Sequence, residues 1–272
     1  MMTKSEKSTK ESGIGKTSFA PSLEISRLGI VSRDYRYKYV NGFRDFSHTL
    51  PDVLRLLDSL GCDAVLFSLF SIVQRESYTP LSAFNGLNNI NAIFLEEFQD
   101  TPKERIQERY GVYHRNNGKW DVYGFWQIFG TINGMPKSDI DDFVNYELPK
   151  RVLGNCCILL CGETNGVKYS PKDKNVQDTF GLRSAIRQST NIILNPIHDR
   201  MTRFEMKLKR KFLSENGRWV VSVWNKGKEK NGRVKDGSRP AWTVFHDGIQ
   251  KEAGLVQNQL ELEIGIIDFK KA

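Results

Sequence analysis

Three short runs of almost unbroken apolar residues limit how this chain can fold. They are Asp63 to Phe70, built on Ala64-Val65-Leu66-Phe67, then Cys156 to Cys161, and Asn191 to Asn195. Each is too short for a typical helix and lacks the polar alternation of a strand with one wet face, so each reads as a strand buried on both sides. A sheet built from such strands needs a cover on each face. That points to an α/β protein with helices packed outside stacked sheets. One cover is legible as a helix: Leu50, Val53, Leu54, Leu57 and Leu60 form an apolar stripe within Phe46 to Leu60, which Gly61 closes. Further strands are expected at Leu23 to Val31, Ile90 to Phe98, Trp219 to Asn225, Trp242 to Phe245 and Leu260 to Phe269. A hairpin over Arg109 to Gly130 turns at Asn117-Gly118, and another turn falls at Asp247-Gly248.

The 272 residues carry a net charge of +8. Much of the excess lies between Arg200 and Lys235, where twelve Lys or Arg face three acids. Its first half reads as a helix over Met201 to Asn216. Met201, Phe204, Leu208 and Phe212 would turn inward, with Arg203, Lys207 and Arg210 outside. The second half reads as a basic loop. A solvated face is the plainer explanation, and contact with nucleic acid is the alternative. Residues 1–21 read as a disordered basic tail with no apolar core, not a secretory signal, which leaves 22–272 as a single domain in the cytoplasm. No apolar run has the length of a membrane-spanning helix.

Two tempting motifs fail. Gly13-Ile14-Gly15-Lys16-Thr17 lacks the earlier glycine of a phosphate loop, because Lys10 stands there. Cys156 and Cys157 are neighbours in a strand and point to opposite faces, so with Cys161 they do not make a metal site. His48, His114 and His246 have no metal-ligand spacing, and neither a metal nor a cofactor is expected. The tryptophans sit on strands, where packing is the default explanation. Cys161 differs in its setting. It ends its strand and enters Gly162-Glu163-Thr164-Asn165-Gly166, a turn that lifts a side chain to the sheet's rim. Alone, that setting suits a nucleophile and a small buried hydrophobe equally well.

Several segments together resemble the carbon–nitrogen hydrolase (nitrilase and amidase) superfamily. Leu159-Leu160-Cys161-Gly162-Glu163 resembles its nucleophile strand. Asn191-Ile-Ile-Leu-Asn-Pro196 resembles the next strand, and Arg218-Trp-Val-Val-Ser-Val-Trp-Asn225 the one after the following helix. Gly237-Ser238 to Gly248 and Ile264 to Phe269 resemble its late hairpin and closing strand. The resemblance spans roughly residues 22 to 270 and implies a four-layer αββα sandwich of two mixed sheets with helices outside. It also implies a homo-oligomer and thiol-dependent hydrolysis of an amide-like or nitrile-like bond in a small-molecule substrate, through Cys161. The family's triad is Glu–Lys–Cys. The glutamate belongs just after the second strand, where Ser68 and Leu69 follow Phe67. Glu76 is the stand-in if that loop folds back. The lysine belongs near Tyr123, and Lys137 is the stand-in, with Lys150 second. Glu163, Asn165 and His198 are the expected substrate-binding residues. His198-Asp199 reads most plainly as an Asp helix cap beside an exposed histidine, and a Cys–His pairing is the alternative. With both triad positions altered, the rival to an enzyme is a catalytically silent relative that binds a ligand or nucleic acid.

Overall fold

The computed structural model describes residues 22–33, 47–69, 72–73, 80–100, 105–198, 204–226, 229–230, 233–234, 240–258, 260 and 262–270. The expected tail, Glu76, Asp199 and much of the basic loop therefore lie outside the described residues.

The first half of the chain supplies β1 (Arg27–Ser32), α1 (Leu50–Ser59), β2 (Ala64–Phe67), β3 (Ile72–Val73), β4 (Ala92–Asp100), β5 (Arg105–Asn116) and β6 (Lys119–Phe125). The β5–β6 hairpin turns at Asn117-Gly118, both with positive φ (48° and 77°), as a tight two-residue turn of this kind requires. A helical stretch follows, α2 (Lys137–Asp142), which loosens into a π turn and a 3-10 turn before Val152. The second half supplies β7 (Val152–Leu153), β8 (Cys156–Ile158), the ribbon β9 (Lys168–Ser170) and β10 (Asn175–Gln177), α3 (Leu182–Ala185) and β11 (Ile192–Pro196). Then come α4 (Phe204–Ser214), β12 (Trp219–Val223), the short β13 (Glu229–Lys230) and β14 (Arg233–Val234), β15 (Trp242–His246), β16 (Ile249–Lys251), β17 (Gly254–Val256) and β18 (Glu263–Asp268).

Two mixed sheets result. One runs β17-β18-β1-β2-β4-β5-β6, with β3 also paired to β4. The other runs β16-β15-β12-β11-β8-β7. Strands β1, β2 and β4 are mutually parallel, as are β8, β11 and β12. Strand parity shows how the sheets are covered. Leu28, Ile30, Leu66 and Phe94 of one sheet share a core with Cys156, Ile158, Leu194, Val221 and Val223 of the other. The alternate residues face outward: Val65, Ile93 and Leu95 pack on Val53, Leu54 and Leu57 of α1. Cys157, Ile193 and Val220 pack on Ile140, Leu182 and Leu213 of α2, α3 and α4. The order is helix, sheet, sheet, helix, so the αββα sandwich is observed. No described helix is long and apolar enough to cross a membrane.

The face of α4 differs from the expected one. Met206, Lys209, Arg210 and Leu213 are buried, and Phe204 is exposed. The apolar pattern misled because the true inward stripe includes two cations. Arg210, expected outside, is fully buried.

Candidate active site

The ends of the two parallel strand sets meet at one rim of the sandwich, and polar side chains fasten them there. Ser32 Oγ donates to the Trp224 carbonyl at 2.7 Å, and Ser68 Oγ donates to Asn225 Oδ1 at 2.5 Å. Asn225 Nδ2 donates to the Leu69 carbonyl at 2.7 Å. Ser68, at the position where the resemblance puts a glutamate, thus helps join the two sheets. The carboxyl ends of parallel strands are where α/β sheets place their ligand sites.

Cys161 lies at this rim, one residue into a 3-10 turn (Cys161–Gly166) that follows Leu160. It is not free at the surface as a rim position suggests, since it is 9% exposed and packs with the core between the sheets. Its φ is +38°, a left-handed conformation that a residue with a side chain adopts only at a cost. The next residue has to be glycine. A Cβ on Gly162 would stand 2.1 Å from the Gly130 carbonyl oxygen, so the loop after β6 presses directly on the cysteine turn.

Glu163 holds that turn from inside. Its carboxylate accepts the Leu160 N–H at 2.7 Å and the Ile128 N–H at 2.8 Å, and it pairs with Arg151 Nη1 at 2.6 Å. Both side chains are shut off from water. Burial pushes the Glu163 carboxyl up, and Arg151 and the backbone donors work against that. Arg151 also donates to the Trp126 carbonyl at 2.5 Å. Glu163, expected to bind substrate, therefore faces the protein interior and fixes the turn.

His198 closes the site from the other side. It follows β11 and is largely buried, with its side chain 22% exposed, where an exposed ring beside a helix cap was the plainer expectation. Cys161 and the Glu96 carboxylate are the groups that favour its protonated form. Its Nε2 stands 3.4 Å from Glu96 Oε2, an ion-pair separation that is long for a hydrogen bond. Burial alone would lower the imidazole. The bonds and charges of Cys161 and Glu96 outweigh that and raise it to about 9. Glu96 is fully buried on β4, opposite Tyr110 in the ladder. Tyr110 donates to the Phe67 carbonyl at 3.2 Å, and its hydroxyl is held well above the usual range by burial and by the Glu96 charge. Cysteine, histidine and carboxylate thus stand in series, with two partners from one sheet and one from the other.

The remaining expected residues are elsewhere or differently engaged. Lys137 begins α2, is exposed, and pairs with Asp141 at 2.8 Å. Lys150 pairs with Glu147 on the surface. Asn165 is half-buried and bridges the Gly130 carbonyl and Lys209 Nζ, at 2.7 and 2.8 Å. It lines a polar cleft with Thr131, Lys168 and Glu205. Glu96 escaped the sequence reading although it had a signal. It is an acid two places after Phe94, on the face of β4 turned to the other sheet. The other thiols are poor nucleophiles: burial raises Cys62 to about 11, Cys157 to about 12, and Cys156 well above its ordinary value. Among the described residues, no His, Cys, Asp and Glu group has the makeup of a metal site.

No protein-family model and no curated protein sequence matches this chain. Solved structures do match it in shape. One is a carbon–nitrogen hydrolase from Helicobacter pylori, at 12% identity and a TM-score of 0.45, covering 91% of this chain and 90% of that one. Another is an amidase from Nesterenkonia sp., at 13% identity and a TM-score of 0.48, covering 94% and 97%. A third is the glutamine-dependent NAD+ synthetase from Acinetobacter baumannii, at 9% identity and a TM-score of 0.49, covering 89% of this chain and 45% of that one. The likeness is one of fold.

Proposed function

We propose that this protein is a thiol-dependent hydrolase of a small carbon–nitrogen substrate, with Cys161 as nucleophile, His198 as its proton partner and Glu96 as the group that orients and charges the histidine. The observation that carries the reading is an imidazole that stands 3.4 Å from the buried Glu96 carboxylate and is favoured in its protonated form by both Cys161 and that carboxylate. The left-handed backbone at Cys161 supports it, because strain of this kind gathers where a side chain must be aimed.

In the first half-reaction, the sulfur cedes its proton to His198 and bonds to the substrate carbonyl carbon. An imidazole raised to about 9 holds that proton at neutral pH. When the tetrahedral intermediate collapses, the carbon–nitrogen bond breaks and the leaving nitrogen takes the proton from His198, which leaves a thioester. In the second, His198 takes a proton from water as the oxygen attacks the thioester, and the proton returns to sulfur as the acid departs. Glu96 keeps its charge throughout and stabilises the protonated ring, as carboxylates do in related constellations. Glu76 and Lys137 have no part in this scheme.

Hydrolysis of a panel of small aliphatic amides and nitriles, measured with native protein and with Cys161→Ser, tests it. Turnover by the native protein and none by the variant supports the reading. Equal rates in the two would sink it. The rival, a silent ligand-binding relative, is favoured by Ser68 standing at the position of the expected glutamate, engaged with Asn225. In that case Cys161 would react with iodoacetamide no faster than glutathione does.

A further inference from the structure

Arg210 carries a feature that the proposed chemistry leaves unused. Its side chain is fully buried, and Nη1 donates to Thr243 Oγ1 at 3.0 Å. Nε and Nη2 have no hydrogen-bond partner among the described residues. Among the described residues no carboxylate pairs with it. Nε and Nη2 form one edge of the guanidinium, with parallel N–H groups at the spacing of a carboxylate's two oxygens. An isolated buried cation is costly, and leaving a bidentate edge empty adds to the cost.

Its surroundings tie it to the site. α4 carries Arg210 inward one turn after Met206 and beside Lys209, which reaches Asn165 in the cysteine turn. Cys161 is near enough to act on Arg210: burial lowers the guanidinium, to about 10, and Cys161 works against that. Thr243 and Trp224, both beside its head group, also line a cavity of about 570 Å³ with Lys207, Trp242, Lys251 and Glu252. Arg151, the other buried arginine near the turn, is already paired with Glu163.

We infer that the free edge of Arg210 receives a carboxylate carried by the substrate, so that the amide attacked by Cys161 belongs to a small anionic molecule such as a monoamide of a dicarboxylic acid. This rests on Cys161 being the nucleophile. The carboxylate would complete the arginine's unmade bonds, and neutral amides would leave them unmade. Selectivity against neutral analogues is strongest where a buried polar group is left unpaired.

Two alkylating reagents that differ only in this group make the test. Iodoacetate and iodoacetamide each form an S–CH2 bond to Cys161 and release iodide. Their rate ratio at Cys161, divided by the ratio for glutathione, should exceed one by about tenfold or more, the gain of one charge-assisted bidentate contact. Iodoacetate should saturate. Succinate should protect native Cys161 from iodoacetamide, and succinamide should not. In Arg210→Gln the normalised ratio should fall to about one. Should that variant fail to fold, protection of the native protein by succinate decides alone. A native ratio equal to glutathione's, without protection, overturns the inference. So does an Arg210→Gln variant slowed equally toward both reagents, since the arginine would then serve the sulfur and not a ligand. If neither reagent modifies Cys161 faster than glutathione, the nucleophile reading itself falls.

Discussion

His198 Nε2 and Glu96 Oε2 stand 3.4 Å apart across the two sheets, one at the end of β11 and the other on β4. Together with Cys161, Glu96 sets the proton state of the ring. Replacing His198 by Gln removes the proton partner, and hydrolysis should fall by about 10²–10⁴-fold, the usual worth of a positioned acid–base group. Glu96→Gln should fall less, because the ring remains and only its orientation and charge are weakened. Steady-state rates of the two variants check the order. A Glu96→Gln variant as fast as native would remove the carboxylate from the scheme.

The same ring, raised by Cys161 and Glu96, makes stability depend on pH. The folded His198 sits near 9, above its ordinary 6.5, so its contribution is complete below 6.5 and is lost as pH rises through 9. The gap corresponds to at most about 3 kcal/mol. Urea denaturation should show native protein exceeding His198→Gln by most at pH 6, with the difference shrinking steadily to pH 9.5. A constant difference would mean that the ring is not charged by folding.

Backbone conformation at Cys161 gives an unusual order of variants. At φ +38° a Cβ is unfavourable, so Cys161→Gly should be more stable than Cys161→Ala by about 1 kcal/mol. In ordinary backbone the order is reversed. Chemical denaturation of both variants settles which backbone the turn has.

Arg151 and Glu163 are buried together, so removing either leaves an uncompensated charge. Glu163→Gln should cost about 3–5 kcal/mol. The double variant Arg151→Met, Glu163→Leu should cost much less, because no charge is then stranded. A double-mutant cycle measures the coupling, and additive costs would mean that the pair does not act as a unit.

The strands were legible because burial on both faces leaves unbroken apolar runs, as at Ala64–Phe67 and Ile192–Pro196. The stripe of α1 was legible for the opposite reason: only one side of it is apolar. α4 was misread because Lys209 and Arg210 lie on its buried face, and hydrophobic periodicity has no means of flagging an inward cation. At the site, Cys161 and its glycine turn could be found locally. The role of Glu163 could not, since it depends on Arg151 reaching back from before β7. Glu96 and His198 lie about a hundred residues apart in sequence, and their meeting depends on the docking of two sheets.

That docking gives the thiol a second use, as a clock for folding. Each sheet collects its strands from its own stretch of chain, save the closing strands β17 and β18, which return from the C-terminal end to the first sheet. A half-built molecule can therefore hold Cys161 and His198 on one sheet while Glu96 waits on the other. Contacts between residues so far apart in sequence are expected late in folding. During refolding from urea, the fast reaction of Cys161 should then return after secondary structure does, at the moment the last interface closes.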